Sequence, residues 1–156
     1  MELSGLEQMN PSDGFMPAKL AEIVANFGEC EGSEKIELLL QYTEGMPPLP
    51  AALRERLGPL EQVHECVTPI FVGVEASAAR HLTFYFDIPL ESPTVRGFAA
   101  LMAEGLEGCL PEEVLQVPGD FFGPMGLQAV LTPQRLNGIS AILRHMQQQA
   151  RKFLPA

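Results

Sequence analysis

The sequence predicts an α+β fold in which helices pack on one face of a three-stranded antiparallel sheet. Apolar residues recur at helical spacing in residues 17–45, alternate with polar ones in residues 70–88, and form a long helical stripe after Thr132. Helices and strands come in separate blocks, which favours an antiparallel sheet over a parallel one. The 156 residues fit one domain, with residues 1–15 expected as a flexible lead-in and residues 16–156 as the folded unit.

Two helices are predicted at the N-terminal side of the domain, packed as a hairpin. The first begins near Pro17 and stops at Gly28; the second has Ser33 as N-cap and stops at Gly45. Eight residues are expected to point inward: Leu20, Ile23, Val24 and Phe27 from the first helix, and Ile36, Leu39, Leu40 and Thr43 from the second. A short helix is expected in "AALRERL", after the prolines of "MPPLP".

Three strands follow. "PIFVGVEA" and "RHLTFYFDI" both alternate apolar and polar residues, and "ASAAR" joins them as a hairpin. "LEQVHE" is expected to pair on the other side of the first of these strands, because only a short turn around Cys66 separates the two segments. A three-stranded antiparallel sheet results.

The C-terminal part of the chain is predicted to be helical. Ser92 and Pro93 are typical of a helix start, "PEEVLQV" predicts a short helix, and "PGDFFGPMG" an irregular loop. The last helix has Thr132 as N-cap and Pro133 in its first turn. Its apolar stripe comprises Leu136, Ile139, Ile142, Leu143, Met146, Ala150 and Phe153.

Charge and cysteine content exclude several classes of protein. A net charge of −10 repels nucleic acid and anionic membrane surfaces. No apolar run approaches the roughly 20 residues that cross a bilayer, and the N-terminus lacks the features of a secretory signal. Three cysteines, an odd number, do not form a disulfide framework. We therefore expect a cytoplasmic protein with free thiols.

Cys66 is the main candidate for chemistry, because the common nucleotide, hydrolase, zinc-protease and dithiol motifs are absent from the sequence. It lies in a stiff turn before Thr68 and Pro69, where a thiol could be a small core residue or a reactive group. His64 would favour its thiolate when protonated, whereas Glu65 opposes it. No metal-ligand spacing is present, and no bound metal or cofactor is expected.

The other candidate residues are less specific. Cys30 and Cys109 are expected to be structural. Arg135 stands in the first turn of the last helix, where the helix dipole disfavours a cation, so a functional role or a salt bridge is expected there. Arg96 lies in an amphipathic helix and could equally be a solvated side chain.

Three segments together resemble the SufE family of sulfur-acceptor proteins: "VHECVTPIF", "SPTVRGFAALM" and "LTPQRLNGISAILRHM". The resemblance runs from about Pro17 to Phe153 and implies the SufE/IscU-like version of the fold. It implies that Cys66 is the reactive cysteine. Glu65 replaces the family's usual glycine, and Glu91 stands where the family commonly has an aspartate.

The resemblance also implies a function: a sulfur acceptor that takes persulfide sulfur from a SufS-like cysteine desulfurase onto Cys66 and passes it to an iron-sulfur scaffold. Pyridoxal phosphate would belong to the desulfurase. The protein would enhance that enzyme as a sulfurtransferase-like carrier rather than act alone, and a homodimer stays possible. His64, Glu65, Thr68, Glu91, Arg96 and Arg135 are the candidates for the cysteine loop and for docking. Two alternatives remain: a regulatory module that carries no sulfur, and an IscU-like cluster scaffold.

Overall fold

A computed structural model describes residues 16–46, 49–65 and 68–155, so the predicted lead-in (residues 1–15) and Cys66 lie outside the described residues. The predicted α+β fold is confirmed. The elements, in chain order, are α1 (Ala18–Glu29), α2 (Ser33–Glu44), α3 (Ala51–Leu57), β1 (Glu61–Gln62), β2 (Phe71–Ala76), β3 (Leu82–Asp87), α4 (Pro93–Gly105), α5 (Pro111–Leu115) and α6 (Pro133–Arg151). Two short 3₁₀ turns, Gly123–Met125 and Leu127–Ala129, precede α6.

The three strands form one antiparallel sheet in the order β1-β2-β3. Val72 lies opposite both Glu61 of β1 and Phe86 of β3, which places the alternating apolar residues on one face. Helix α6 packs on β2 and α4 packs on β3. Val72, Phe84 and Phe86 are buried in the resulting core. The predicted cover of one sheet face is therefore confirmed.

The other sheet face is partly covered by α3. Gly73 faces this helix, and a Cβ atom there would come within 2.6 Å of Leu60 Cδ2. Arg56 of α3 donates to Glu75 of β2 at 2.5 and 3.0 Å. Because Gly73 has no side chain, the segment around Leu60 can approach the strand closely.

Helices α1 and α2 each pack mainly against α4 rather than against each other, so the predicted hairpin is not the main contact. Glycines in α4 allow both close approaches: a Cβ at Gly97 would lie 2.7 Å from Leu39 O, and one at Gly105 would lie 2.7 Å from Leu20 Cδ1. A direct contact between α1 and α2 is the stacked ring pair of Phe27 and Tyr42, with centroids 6.0 Å apart.

The inward face of α2 differs from the prediction in one position. Leu39 is buried as expected, but Leu40 is 38% exposed, and Lys35 is only 6% exposed. Lys35 Nζ donates to Phe27 O at 2.6 Å and to Met125 O at 2.8 Å. The buried ammonium group thus joins the end of α1 to the first 3₁₀ turn, and this rotates α2 so that Leu40 faces outward.

Both predicted N-caps can be compared with the structure. Thr132 Oγ1 accepts a hydrogen bond from the backbone N–H of Arg135 at 3.3 Å, so this cap is confirmed. Ser33 is instead the first residue of α2, and Gly32 precedes it with a φ of 54°. The apolar stripe of α6 is buried from Ile139 to Ala150, whereas Phe153 lies beyond the helix and is partly buried. None of the described helices is long and apolar enough to cross a membrane.

Replacing Lys35 by Met is expected to lower the free energy of unfolding by about 2–3 kcal/mol, because two buried carbonyl oxygens would lose a charged donor. Chemical denaturation of both proteins measures this difference. Lys19→Met is the matched control: its ion pair with Glu104 is exposed, with 3.9 Å between Nζ and Oε2, and the change should stay within about 1 kcal/mol. Equal effects of the two substitutions would contradict a structural role for Lys35.

Candidate functional site

The candidate site is the turn that joins β1 to β2. The backbone N–H of Val63 donates to Ile70 O at 2.8 Å and closes the base of this turn. Among the described residues beyond that hydrogen bond, His64, Glu65 and Pro69 are exposed. Cys66, the predicted reactive residue, lies in this segment but outside the described residues, so its role stays a prediction.

A cavity of about 300 Å³ lies beside the described part of the turn. Its walls come from three elements: Glu65 and Thr68 from the turn, Val95 and Phe98 from α4, and Gln134, Arg135 and Ile142 from α6. The walls therefore combine apolar side chains with a carboxylate, an amide and a guanidinium group. A small group presented from the turn would meet both apolar cover and a cation.

A hydrogen-bonded cluster anchors Glu65 to α6. His145 Nε2 donates to Glu65 Oε1 at 2.8 Å, and His145 Nδ1 donates to Glu61 Oε2. The second oxygen of each carboxylate is also bound: Glu61 Oε1 accepts from Gln149 Nε2 at 2.8 Å, and Glu65 Oε2 accepts from Arg144 Nη2 at 3.4 Å. Both imidazole nitrogens therefore face carboxylate oxygens, which only accept when they are ionised.

The cluster changes the acidity of Glu65. The pKa of Glu65 is lowered from 4.5 to about 2, first by the hydrogen bond from His145, then by a backbone hydrogen bond to the carboxylate, and to a smaller extent by the bond from Arg144. The negative charge next to the position of Cys66 is therefore paired with cationic groups. This pairing reduces the opposition to a neighbouring thiolate that the sequence predicted for Glu65.

The remaining predicted loop residues occupy different surroundings. Thr68 is half-buried and lines the cavity, whereas His64 and Glu91 are exposed. Arg135 also lines the cavity, and its exposed guanidinium group makes no hydrogen bond or ion pair with any described residue. The salt bridge considered for Arg135 is thus absent from the described part of the chain.

Arg96 has a structural placement. It is 5% exposed, and its guanidinium group donates to Ile88 O and to Met46 O, each at 2.8 Å. These bonds connect α4 to the end of the sheet and to the segment after α2. The burial favours this bridging role over the predicted docking role.

Neither of the two described cysteines lies in a reactive environment. Cys109 is buried, and its burial, with smaller contributions from Glu113 and Glu107, raises the pKa of its thiol to about 11. Cys30 is half-buried and donates to Asn26 O at 3.4 Å. Within residues 16–46, 49–65 and 68–155, no three His, Cys, Asp or Glu side chains are grouped to hold a metal ion.

The sequence reasoning did not include His145, Glu61, Arg144 or Gln149 among the site residues. A signal was available in α6, since His145 and Gln149 are polar and continue the face of Ile142 at helical spacing. Their carboxylate partners could not be found this way, because Glu61 and Glu65 lie 84 and 80 residues from His145 in the chain.

A larger apolar groove lies elsewhere on the molecule. It has a volume of about 680 Å³ and runs between α2, α4 and β3, where Tyr42, Met46 and Phe84 contribute to its walls. It shares no lining residue with the cavity beside Glu65 and Thr68.

Comparison with known proteins identifies the family. Residues 21–150 match the model of the SufE family, described as an Fe-S metabolism associated domain. This chain belongs to the SufE family. Membership places the chain in iron-sulfur metabolism. The family that the three sequence segments indicated is confirmed.

Several SufE relatives share most of this chain. An uncharacterised SufE-like protein of Mycobacterium tuberculosis is 40% identical over 137 residues, covering 88% of this chain and 94% of the relative. SufE-like protein 1 of Arabidopsis thaliana, chloroplastic/mitochondrial, is 33% identical over 136 residues, but the match covers 35% of that longer protein. The solution structure of a hypothetical protein from Thermus thermophilus superposes with a TM-score of 0.77 at 40% identity, covering 88% of this chain and 96% of that one.

Glu65→Gln is expected to change how stability depends on pH. The folded-state pKa of Glu65 lies below its ordinary value of 4.5, so its ionised form favours the folded protein; this contribution is complete above about pH 5 and is lost as the pH falls toward 2. Thermal unfolding of both proteins across pH 3–7 measures the effect. At pH 6–7 the melting temperature of the wild type should exceed that of the variant. The difference between the two melting temperatures should shrink as the pH is lowered.

Glu44→Gln is the control for this measurement, because Glu44 is exposed at the end of α2. Its stability relative to wild type should stay nearly constant over the same range. A Glu65→Gln difference that does not depend on pH would contradict the ion pair.

Proposed function

We propose that this SufE-family protein accepts sulfur as a persulfide on Cys66 from a pyridoxal-phosphate-dependent cysteine desulfurase and passes it on for iron-sulfur cluster assembly. Cytoplasmic location is part of the same proposal. The observation that carries it is the convergence of Glu65, Thr68 and Arg135, which pairs with no other described residue, on one cavity at the turn whose sequence contains Cys66.

The surroundings of the turn support a carrier. A bound persulfide needs apolar cover against water and oxidants, which Val95, Phe98 and Ile142 supply in the cavity. It also carries negative charge, and Arg135 offers an exposed cation that no other described residue neutralises. The cavity therefore combines the two requirements of a protected anionic sulfur.

The proposed transfer is an exchange without net oxidation. The Cys66 thiol loses its proton to solvent, and the thiolate attacks the outer sulfur of the desulfurase persulfide. The sulfur–sulfur bond of the donor breaks as the new one forms, and the donor cysteine leaves as a thiolate that is reprotonated. Pyridoxal phosphate acts in the desulfurase, which removes the sulfur from free cysteine before this step.

The environments of the other cysteines weigh against a cluster scaffold. A scaffold needs several thiolates together, yet burial holds the pKa of Cys109 at about 11, and Cys30 points its sulfur at Asn26 O. A regulatory module that carries no sulfur makes the same contacts with a desulfurase. The carrier and the module differ only in the fate of the Cys66 sulfur, which mass spectrometry measures directly.

Incubation with a cysteine desulfurase, pyridoxal phosphate and cysteine is expected to add the mass of one sulfur atom to the wild type and not to Cys66→Ser. The gain should disappear on reduction, because a persulfide is reducible. Cys30→Ser is the matched control and should load normally. If the wild type gains no mass while it still stimulates desulfurase turnover, the carrier function is refuted and the regulatory module is the remaining function.

Arg135→Gln is expected to lower desulfurase stimulation about three- to tenfold at subsaturating protein, because the cavity would lose the cation that Arg135 supplies. Arg151→Gln, at the far end of α6, is the control and should behave as wild type. Turnover measured against protein concentration checks both. The Arg135 side chain makes no bond to the described part of the chain, so the melting temperature should be unchanged. An unchanged stimulation curve would exclude Arg135 from the site.

A further inference from the structure

The outer edge of the sheet lies in the apolar groove between α2, α4 and β3. Strand β3 is the last strand in the order β1-β2-β3. Ser77 N donates to His81 O at 2.9 Å, so His81 and every second residue after it direct their backbone groups toward β2. Phe84 and Phe86 are in the alternate register, so their N–H and C=O groups point away from β2. Both residues line the groove.

The two ends of this outer edge are closed by hydrogen bonds. At one end, the N–H of Leu82 donates to Cys109 O and the C=O of Leu82 accepts from Gly108 N, both at 2.8 Å. At the other end, Ile88 O accepts from Arg96 Nη1 at 2.8 Å. These bonds agree with the register, because Leu82 and Ile88 belong to the outward set. The part of the edge that remains is the middle.

The middle of the edge has no partner in the described part of the chain. None of those residues forms a hydrogen bond with the outward N–H or C=O of Phe84 or Phe86. Both residues are only 4% exposed, so these groups lie deep in the groove. The edge of another folded sheet would not reach this depth, whereas a single extended chain would. Backbone N–H and C=O groups in such a place favour a backbone partner.

We propose that the apolar groove binds an extended, basic peptide segment of a partner protein, which pairs with Phe84 and Phe86 as a fourth strand. In this mode, main-chain hydrogen bonds supply affinity and the alternating side chains supply specificity. A helix in the groove would use its N–H and C=O groups within its own turns. It would cover the groups of Phe84 and Phe86 without pairing them, which is unfavourable.

The walls of the groove suit the side chains of an extended chain. Helix α4 contributes the small residues Ala100 and Ala103 beside the strand, and α2 contributes Leu38 and Tyr42. Successive side chains of a strand point to opposite faces of the sheet. One alternate set of the peptide would therefore contact these helices, and the other set would lie on the face of Tyr85. We expect the first set to be apolar and the second to be polar.

The charges around the groove favour a basic peptide. Burial is the largest cause of the raised pKa of both tyrosines in the walls, and four carboxylates add to it: Glu104 and Glu22 at Tyr42, and Glu75 and Glu107 at Tyr85. Two cations lie beside these carboxylates: Lys19, 3.9 Å from Glu104, and Arg56, which is bound to Glu75. The carboxylates outnumber the cations, and the whole chain has a net charge of −10. Lysine or arginine in the peptide would complement this surface.

The same charges disfavour a second copy of this chain as the occupant, because two surfaces of like charge repel. The groove shares no lining residue with the cavity beside Glu65 and Thr68. A bound peptide would therefore leave that cavity open. The inference does not depend on the proposed carrier function.

The probe is an acetylated and amidated peptide of about seven residues in which lysine and valine alternate. Amide hydrogen exchange measured by NMR reports on the edge directly. In the free protein, the amides of Phe84 and Phe86 should exchange faster than those of Thr83 and Tyr85, which point toward β2. Saturating peptide should slow the first pair about tenfold or more and leave the second pair unchanged. Equal protection of all four amides in the free protein would overturn the proposal.

Methylation of the peptide backbone separates strand pairing from apolar contact. N-methyl groups on one alternate set of peptide nitrogens remove the donors that face β3, and those on the other set face away. We expect one methylated peptide to lose about tenfold or more in affinity and the other to bind within about twofold of the parent. Equal affinities would overturn strand addition. A peptide with glutamate in place of lysine should bind about tenfold more weakly at low salt, and equal binding would overturn the basic preference.

Two substitutions test the groove itself. Ala103→Arg would place a long cation in the groove and should lower peptide affinity about tenfold or more. Ala78→Arg, at an exposed alanine of the β2–β3 turn, is the matched control and should bind as the wild type. Glu104→Gln, at an exposed position, is the milder variant and should weaken binding of the lysine peptide about threefold with an unchanged melting temperature. Unaltered binding in both groove variants would overturn the site.

Two further results would contradict the proposal. One is the absence of saturable binding up to about 1 mM peptide. The other is protection of Phe84 and Phe86 that appears when the protein is concentrated without peptide, since this would assign the edge to a second copy. None of these measurements uses Cys66 or a desulfurase. Failure of sulfur loading would therefore refute the carrier function alone, and failure of peptide binding would refute the fourth strand alone.

Discussion

The interaction on which this structure most depends is the pairing of buried cationic side chains with oxygen atoms from distant segments. Lys35 binds the carbonyl oxygens that end α1 and the first 3₁₀ turn, and Arg96 binds those of Ile88 and Met46. His145 binds two carboxylates. A cation without partners in a core is strongly unfavourable, so each of these residues forces the segments that supply its oxygens to meet. Among the described residues, no buried side-chain nitrogen or oxygen lacks a partner.

This constraint also determines where the candidate site lies. Helix α6 has to stay beside β1 because His145 and Gln149 need Glu61, and the same helix begins with Thr132 and Arg135 at the cavity. One helix thus supplies the contacts to Glu65 near its end and the guanidinium group of Arg135 near its start. The geometry of the site is a consequence of how α6 is fixed on the sheet, not of the turn alone.

Local features of the fold were predictable from sequence, whereas long-range polar pairing was not. The Thr132 cap and the alternation of the strands depend on neighbouring residues, and both appear as predicted. The inward face of α2 was misjudged at Leu40 because hydrophobicity alone assigns Lys35 to solvent, and only the carbonyls of distant segments explain its burial. The same holds for the candidate site. The sequence singled out Glu65 as unusual, but its bond to His145 joins residues that are 80 positions apart in the chain and could not be predicted.

Under the proposed function, the surroundings of the other two cysteines bear on why Cys66 would carry the sulfur. Burial and two nearby glutamates keep the Cys109 thiol protonated, and a thiol, unlike a thiolate, is a poor nucleophile. Cys30 is half-buried with its sulfur directed at a backbone carbonyl. Glu65 would oppose a thiolate at Cys66 if its charge were free, yet His145 and Arg144 offset that charge. The proposed carrier function needs no strong activation of its thiol, because proximity to a docked desulfurase would raise the exchange rate far more than a modest change in thiolate fraction.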